Sequence, residues 1–113
     1  DSYNCDALAI AGATAAIEDQ AWLADNLKKV LATRDRLTAG LTALGFSALP
    51  SEANFVWCTH PSHPAQPLYA GLKNARILVR YMNYAGWGDG LRISVGTDDE
   101  IDTLVAQLKQ LLK

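Results

Sequence analysis

Arg80 and Arg92 are the residues of this sequence best suited to chemistry, and the chemistry they suit is holding an anion. Both lie in Ile77–Thr97, ILVRYMNYAGWGDGLRISVGT. The runs ILVR and LRISV have the length and β-branched content of buried strands, and YMNYAGWGDG between them has turn chemistry. Neither run supplies a partner for its arginine, and an unpaired buried cation is costly. A carboxylate or phosphate would supply one, because a guanidinium presents a planar fork of donors that fits either in bidentate fashion. In a pleated strand Leu91, Ile93 and Val95 share one face, and Arg92, Ser94 and Gly96 share the other. A face of Arg, Ser and Gly is polar and open to a ligand. A salt bridge from Arg92 to Asp89 or Asp99 fits the spacing equally well. Arg80 stands at a strand end, where a structural or exposed arginine is the commoner outcome, and is the second anion candidate. Tyr81, Tyr84 and Trp87 can line a pocket mouth or cover the sheet edge. Asn54, in SEANFVW, can satisfy backbone groups where a strand begins or touch a substrate.

Other chemistry is less well supported. Cys58, His60 and His63 form a CxHxxH cluster, but a tetrahedral zinc site needs a fourth ligand and Cys5 is the one other soft candidate. The spacing matches no strong zinc pattern, so no metal is expected. A Cys–His nucleophile would need an orienting third group and an oxyanion hole, and neither is visible. There is no GxGxxG, P-loop, HExxH or GxSxG. Lys28, Lys29, Lys73, Lys109 and Lys113 all fall in helical or terminal settings, unlike a desolvated Schiff-base lysine. On its own residues the chain binds anions and lacks a complete catalytic apparatus.

The elements that must position the arginines can be read from pattern. Ala7–Ile17 is a helix with almost no polar face, expected to be buried all round or to pack on something larger than this chain. Asp19 caps a second helix with Leu23, Leu27, Val30, Leu37, Leu41 and Leu44 as its stripe, and Lys28, Lys29, Arg34, Asp35 and Arg36 mostly on its solvent side. Gly45 ends it as a left-handed cap. Phe46–Pro50 and Asn54–Cys58 are strand candidates. Pro61, Pro64 and Pro67 mark a loop and the start of a third helix carrying Leu68, Tyr69 and Leu72. After the two arginine strands, Thr97 and Glu100 form a capping box for a last helix with Ile101, Leu104, Val105 and Leu108 inward. The order α-α-β-β-α-β-β-α predicts an α+β, two-layer fold in which helices pack on one face of a small sheet.

Composition narrows the class. The 113 residues fit one domain able to bury a core, and half are apolar. Ten basic and twelve acidic side chains leave a charge of −2, which argues against a nucleic-acid surface. The longest apolar stretch, Ala7–Ile17, is too short to span a membrane. Two cysteines, Cys5 and Cys58, could form one bridge, but free buried thiols are the expectation. The sequence begins at Asp1 and its single methionine is Met82, so a processed or excised piece is expected.

Taken together, these residues resemble the C-terminal small domain of the histidinol-phosphate aminotransferases, fold-type-I enzymes that use pyridoxal 5'-phosphate. The resemblance runs from Ser2-Tyr3-Asn4 and the small-residue helix, through Leu44–Phe46 (LGF) and Pro50–Trp57 (PSEANFVW), to ILVRYMNYAGWGDGLRISVGTDDEID. Cys5-Asp6 departs from the more usual Val-Asn after YN. The resemblance implies that residues 1–113 are one small domain of a larger protein, with residues 1–18 an interdomain helix. It implies amino transfer between L-histidinol phosphate and 2-oxoglutarate, giving imidazole-acetol phosphate and glutamate, in cytoplasmic histidine biosynthesis. Arg92 would hold the substrate's anionic group and Arg80 would share that role, with Tyr81, Tyr84 and Asn54 lining the pocket. The cofactor, the Schiff-base lysine and most of a homodimer interface would belong to a large domain outside this chain, which alone would be inactive. No nucleic-acid or membrane partner is implied. The competing class is a stand-alone, non-catalytic α+β module that binds a small carboxylate or a protein partner.

Overall fold

The computed structural model describes residues 3–113. Asp1 and Ser2, with which the resemblance and the interdomain helix begin, lie outside the described residues. The elements follow the expected order: α1 (Ala7–Glu18), α2 (Gln20–Ala43), β1 (Ser47–Ala48), β2 (Phe55–Thr59), α3 (Ala65–Asn74), β3 (Arg80–Tyr84), β4 (Gly88–Ser94) and α4 (Asp98–Leu111). The strands form one antiparallel sheet in the order β1-β2-β4-β3. Helices α2, α3 and α4 cover one face, which is the two-layer α+β arrangement read from the sequence.

Alternation along the strands sorts the two faces. Val56, Cys58, Leu91 and Ile93 point into the helical layer and are buried with Leu37, Leu41, Leu68, Leu72, Ile101, Leu104 and Leu108. Phe55, Trp57, Arg92, Arg80, Met82 and Tyr84 therefore stand on the other face, over which no helix packs.

Local chemistry sets the helix ends. Asp19 Oδ1 accepts from Trp22 N at 3.1 Å and starts α2. Thr97 and Glu100 complete the capping box of α4. Gly45, at φ +88°, ends α2 as a left-handed cap should. Helix α3 differs: Pro64 at its N-cap supplies no side-chain acceptor, and Asp89 Oδ2 from β4 accepts from Ala65 N at 2.7 Å in its stead.

Five expectations need correction. The segment expected as a loop, YMNYAGWGDG, is mostly strand: β3 continues to Tyr84, β4 starts at Gly88, and residues 85–87 alone make the turn. Its aromatic residues favour pleated backbone, and Gly86 (φ +81°) and Gly88 (φ +90°) let the chain reverse tightly. Ile77–Val79, expected in a strand, precede β3. Arg34, expected on the solvent side of α2, is 9% exposed. It donates through Nη1 to Ala53 O at 3.0 Å and so pins the chain leading into β2. Leu23 and Leu27, expected inward, are 51% and 54% exposed, because the first half of α2 extends beyond the sheet. Cys5 is exposed, not buried; Cys58 is buried, and both thiols are free. Helix α1 buries no residue within this chain, so the reading of a helix buried all round within it does not hold. Among the described residues no helix is long and apolar enough to cross a membrane.

Candidate functional site

One row of the sheet carries the site. Register places Trp57 of β2 opposite Arg92 of β4, and Arg92 opposite Arg80 of β3. Directly opposed residues share a face, so a tryptophan and two guanidiniums stand side by side on the helix-free side. Neither Arg80 nor Arg92 has a carboxylate within ion-pair distance among the described residues. The salt-bridge alternative for Arg92 is not realised among the described residues: Asp89 turns the other way, toward the start of α3, and Asp99 makes no ion pair with Arg92. The Arg92 guanidinium instead lies over the ring of Phe55, 5.1 Å from its centroid, a cation–π contact that leaves its donors free.

Beside this row lies an open hollow of about 480 Å³, lined by Leu49, Phe55, Trp57, Met82, Tyr84, Trp87 and Arg92. The rings of Trp57 and Tyr84 sit 6.1 Å apart and tilted by 40°. A cation set in an aromatic, apolar wall is chemically fit to orient an anion and the group it carries. Ser94 and Gly96, expected to share the open face with Arg92, line a separate hollow of about 540 Å³ between residues 77–79 and α4, which neither Arg80 nor Arg92 lines.

The other candidates divide. Tyr84 joins the hollow. Tyr81 does not: it points into the helical layer, where its ring is 6.0 Å from that of Tyr69. The neighbouring Asp89 carboxylate, by hydrogen bonding, and then burial raise its phenol above the ordinary tyrosine value. Asn54 precedes β2 and is exposed, and its carbonyl accepts from Val95 N at 2.8 Å. Cys58 is fully buried on the helical side, and desolvation pushes its thiol up to about 12, away from any thiolate chemistry. His60 caps the end of α2 through Leu44 O at 3.2 Å and packs against His63 at 4.7 Å. Sequence reasoning did not single out Phe55, Trp57 or Met82. Period-two alternation along FVWCT was the available signal, but which rows meet Arg92 depends on register, which the sequence does not print.

All five lysines are exposed and sit on the helices or the C-terminus, none on the arginine face. What these residues offer is a wall of arginine and aromatic side chains.

Comparison with known proteins places that wall in a family. Residues 1–108 match the model for aminotransferase class I and II. The chain is 54% identical over 113 residues to a histidinol-phosphate aminotransferase of Rhodopirellula baltica, covering 100% of this chain and 31% of that protein. It is 47% identical over 112 residues to one of Acetobacter pasteurianus, covering 99% of this chain and 32% of that protein. The chain thus spans about a third of the length of the relatives it matches. Among solved structures, the histidinol-phosphate aminotransferase of Sinorhizobium meliloti in complex with pyridoxal-5'-phosphate superposes with a TM-score of 0.84 at 28% identity, over 92% of this chain and 29% of that one. The arginine-bearing sheet and its helical layer therefore belong to the family of class I and II aminotransferases.

Proposed function

We propose that this chain is the small, substrate-clamping domain of a histidinol-phosphate aminotransferase. The complete protein would move an amino group between L-histidinol phosphate and 2-oxoglutarate, as a cytoplasmic homodimer of histidine biosynthesis. The names of its relatives support the reaction. The observation that carries the role of this part is the pair Arg92 and Arg80, opposed on an open face with no carboxylate of their own. Two unneutralised guanidiniums in one row leave a place for a doubly charged phosphate or a carboxylate. Either substrate anion would offset the repulsion between them.

In this reading Arg92 grips the anionic end of each substrate and Arg80 supplies the second charge. Closing the apolar wall over the reacting end excludes water and fixes orientation, which converts binding energy into rate. The amine-carrying chemistry is left to residues outside this chain.

The test is amino-group transfer by the complete gene product carrying residues 1–113. Arg92→Ala should lower kcat/KM by roughly a hundredfold, as for loss of a desolvated charge-assisted pair. Arg92→Lys should recover little, because a point charge lacks the fork. A loss below about threefold for Arg92→Ala would overturn the assignment.

A further inference from the structure

We propose that Trp57 is a specificity-determining residue of this site: its indole stacks on a flat ring carried by an anionic substrate and so favours ring-bearing over aliphatic substrates with a similar anionic end. The inference rests on the anion-binding reading of Arg92 and Arg80.

Three observations converge on it. Trp57 is the Cα partner of Arg92, so the two side chains rise next to each other from adjacent strands. Arg92 lies over Phe55 of β2, so its guanidinium leans toward the strand that carries Trp57 rather than toward Arg80. The indole is also held in place from below. Gly90, two residues before Arg92, lies on the same face of β4, and a Cβ there would stand 2.5 Å from Trp57 Cζ2 and 2.8 Å from Cη2. The six-membered ring of Trp57 thus rests in the space that glycine leaves, flanked by Tyr84. A ring seated against the sheet on one side presents its other side to the hollow.

The chemistry follows from that placement. A substituent next to the bound anion meets a second cation on the β3 side and an aromatic surface on the β2 side. A flat, polarisable ring gains an offset or edge-to-face contact there, and a short aliphatic chain gains little. The anion sets affinity for both kinds of substrate, and Trp57 sets the difference between them.

The experiment measures kcat/KM of the complete gene product for L-histidinol phosphate and for L-glutamate in wild type, Trp57→Phe, Trp57→Leu and Arg92→Ala, with the thermal midpoint of each. The ratio of the two constants should fall roughly five- to tenfold in Trp57→Leu, which keeps apolar bulk but has no π face, and stay near the wild-type ratio in Trp57→Phe. An unchanged ratio in a folded Trp57→Leu protein overturns the proposal, as does an equal fall in Trp57→Phe and Trp57→Leu. Should Trp57→Leu fail to fold, Trp57→Tyr and Trp57→Met take its place with the same two expectations. The Arg92→Ala measurement stands apart: if it leaves both constants unchanged, the anion-binding reading itself fails, whatever the ratio does.

Discussion

Arg80 and Arg92 are direct Cα partners across β3 and β4, two like charges in one row of a sheet with no acid between them among the described residues. Like charges directly opposite destabilise a strand pair. The fold tolerates that repulsion on the one face where nothing else packs. Arg80→Gln should therefore stabilise the ligand-free protein by about 0.5 kcal/mol and weaken its affinity for inorganic phosphate. Urea unfolding with and without phosphate reads both effects. A variant that is less stable and binds phosphate as tightly as wild type would show that the opposition has no functional cause.

Arg34 bears on the site from a distance. It is the one nearly buried charge in the helical layer among the described residues, and its hydrogen bond to Ala53 O fixes the segment that feeds Phe55 and Trp57 into β2. Arg34→Ala removes a charged donor and leaves a carbonyl unsatisfied, a loss of about 2 kcal/mol. Denaturant unfolding should show this as a lower midpoint at unchanged slope.

Helices α2 and α4 are clasped by Asp98, which accepts from Thr33 Oγ1 at 2.7 Å and pairs with Arg36 Nη1 at 2.5 Å. The Thr33 hydrogen bond first, and then Arg36, hold the Asp98 carboxyl below its ordinary value. A group depressed on folding adds stability above its unfolded value and loses it as pH falls through the folded one. The thermal midpoint should decline as pH drops below the ordinary aspartate range. Asp98→Asn should flatten part of that decline, and an identical slope in wild type and variant would remove Asp98 from the account.

The two thiols should separate cleanly. Cys58 is fully buried with its thiol pushed up to about 12, whereas Cys5 is exposed. Alkylation of the native protein at pH 8 should modify Cys5 alone by peptide mass spectrometry, and unfolding should release Cys58.

Much of this architecture was legible because local chemistry and global fold agree. Asp19, Gly45, Thr97 and Glu100 each carry a capping signal that works through neighbouring residues, and each ends its helix where the sequence places it. The arginines were legible as anomalies within apolar runs. What the sequence hid was set by pairing at a distance. Tyr81 and Tyr84 look equivalent in the string, yet an odd separation puts them on opposite faces, one under the helices and one beside Arg92. Trp57 became part of the site through register with Arg92, a relation between residues 35 positions apart that no local pattern encodes. Arg34 looked like one member of a solvated charge run because its acceptor, Ala53 O, lies in another element. Leu23 and Leu27 have core spacing, but the sheet beneath α2 is too short to reach them.

The carboxylate of Asp89 has a consequence for the order in which the chain folds. Helix α3 starts at a proline that cannot cap it, and the acceptor for its first free N–H arrives from a strand 24 residues further on. A short helix is marginal by itself in water. The first turn of α3 therefore gains its cap once the intervening loop has closed and the β3–β4 hairpin has formed, a modest entropic barrier for a loop of that length. Hairpin and helix should protect their amides from exchange together, as one cooperative unit, so the strand that presents Arg92 loosens only when α3 does.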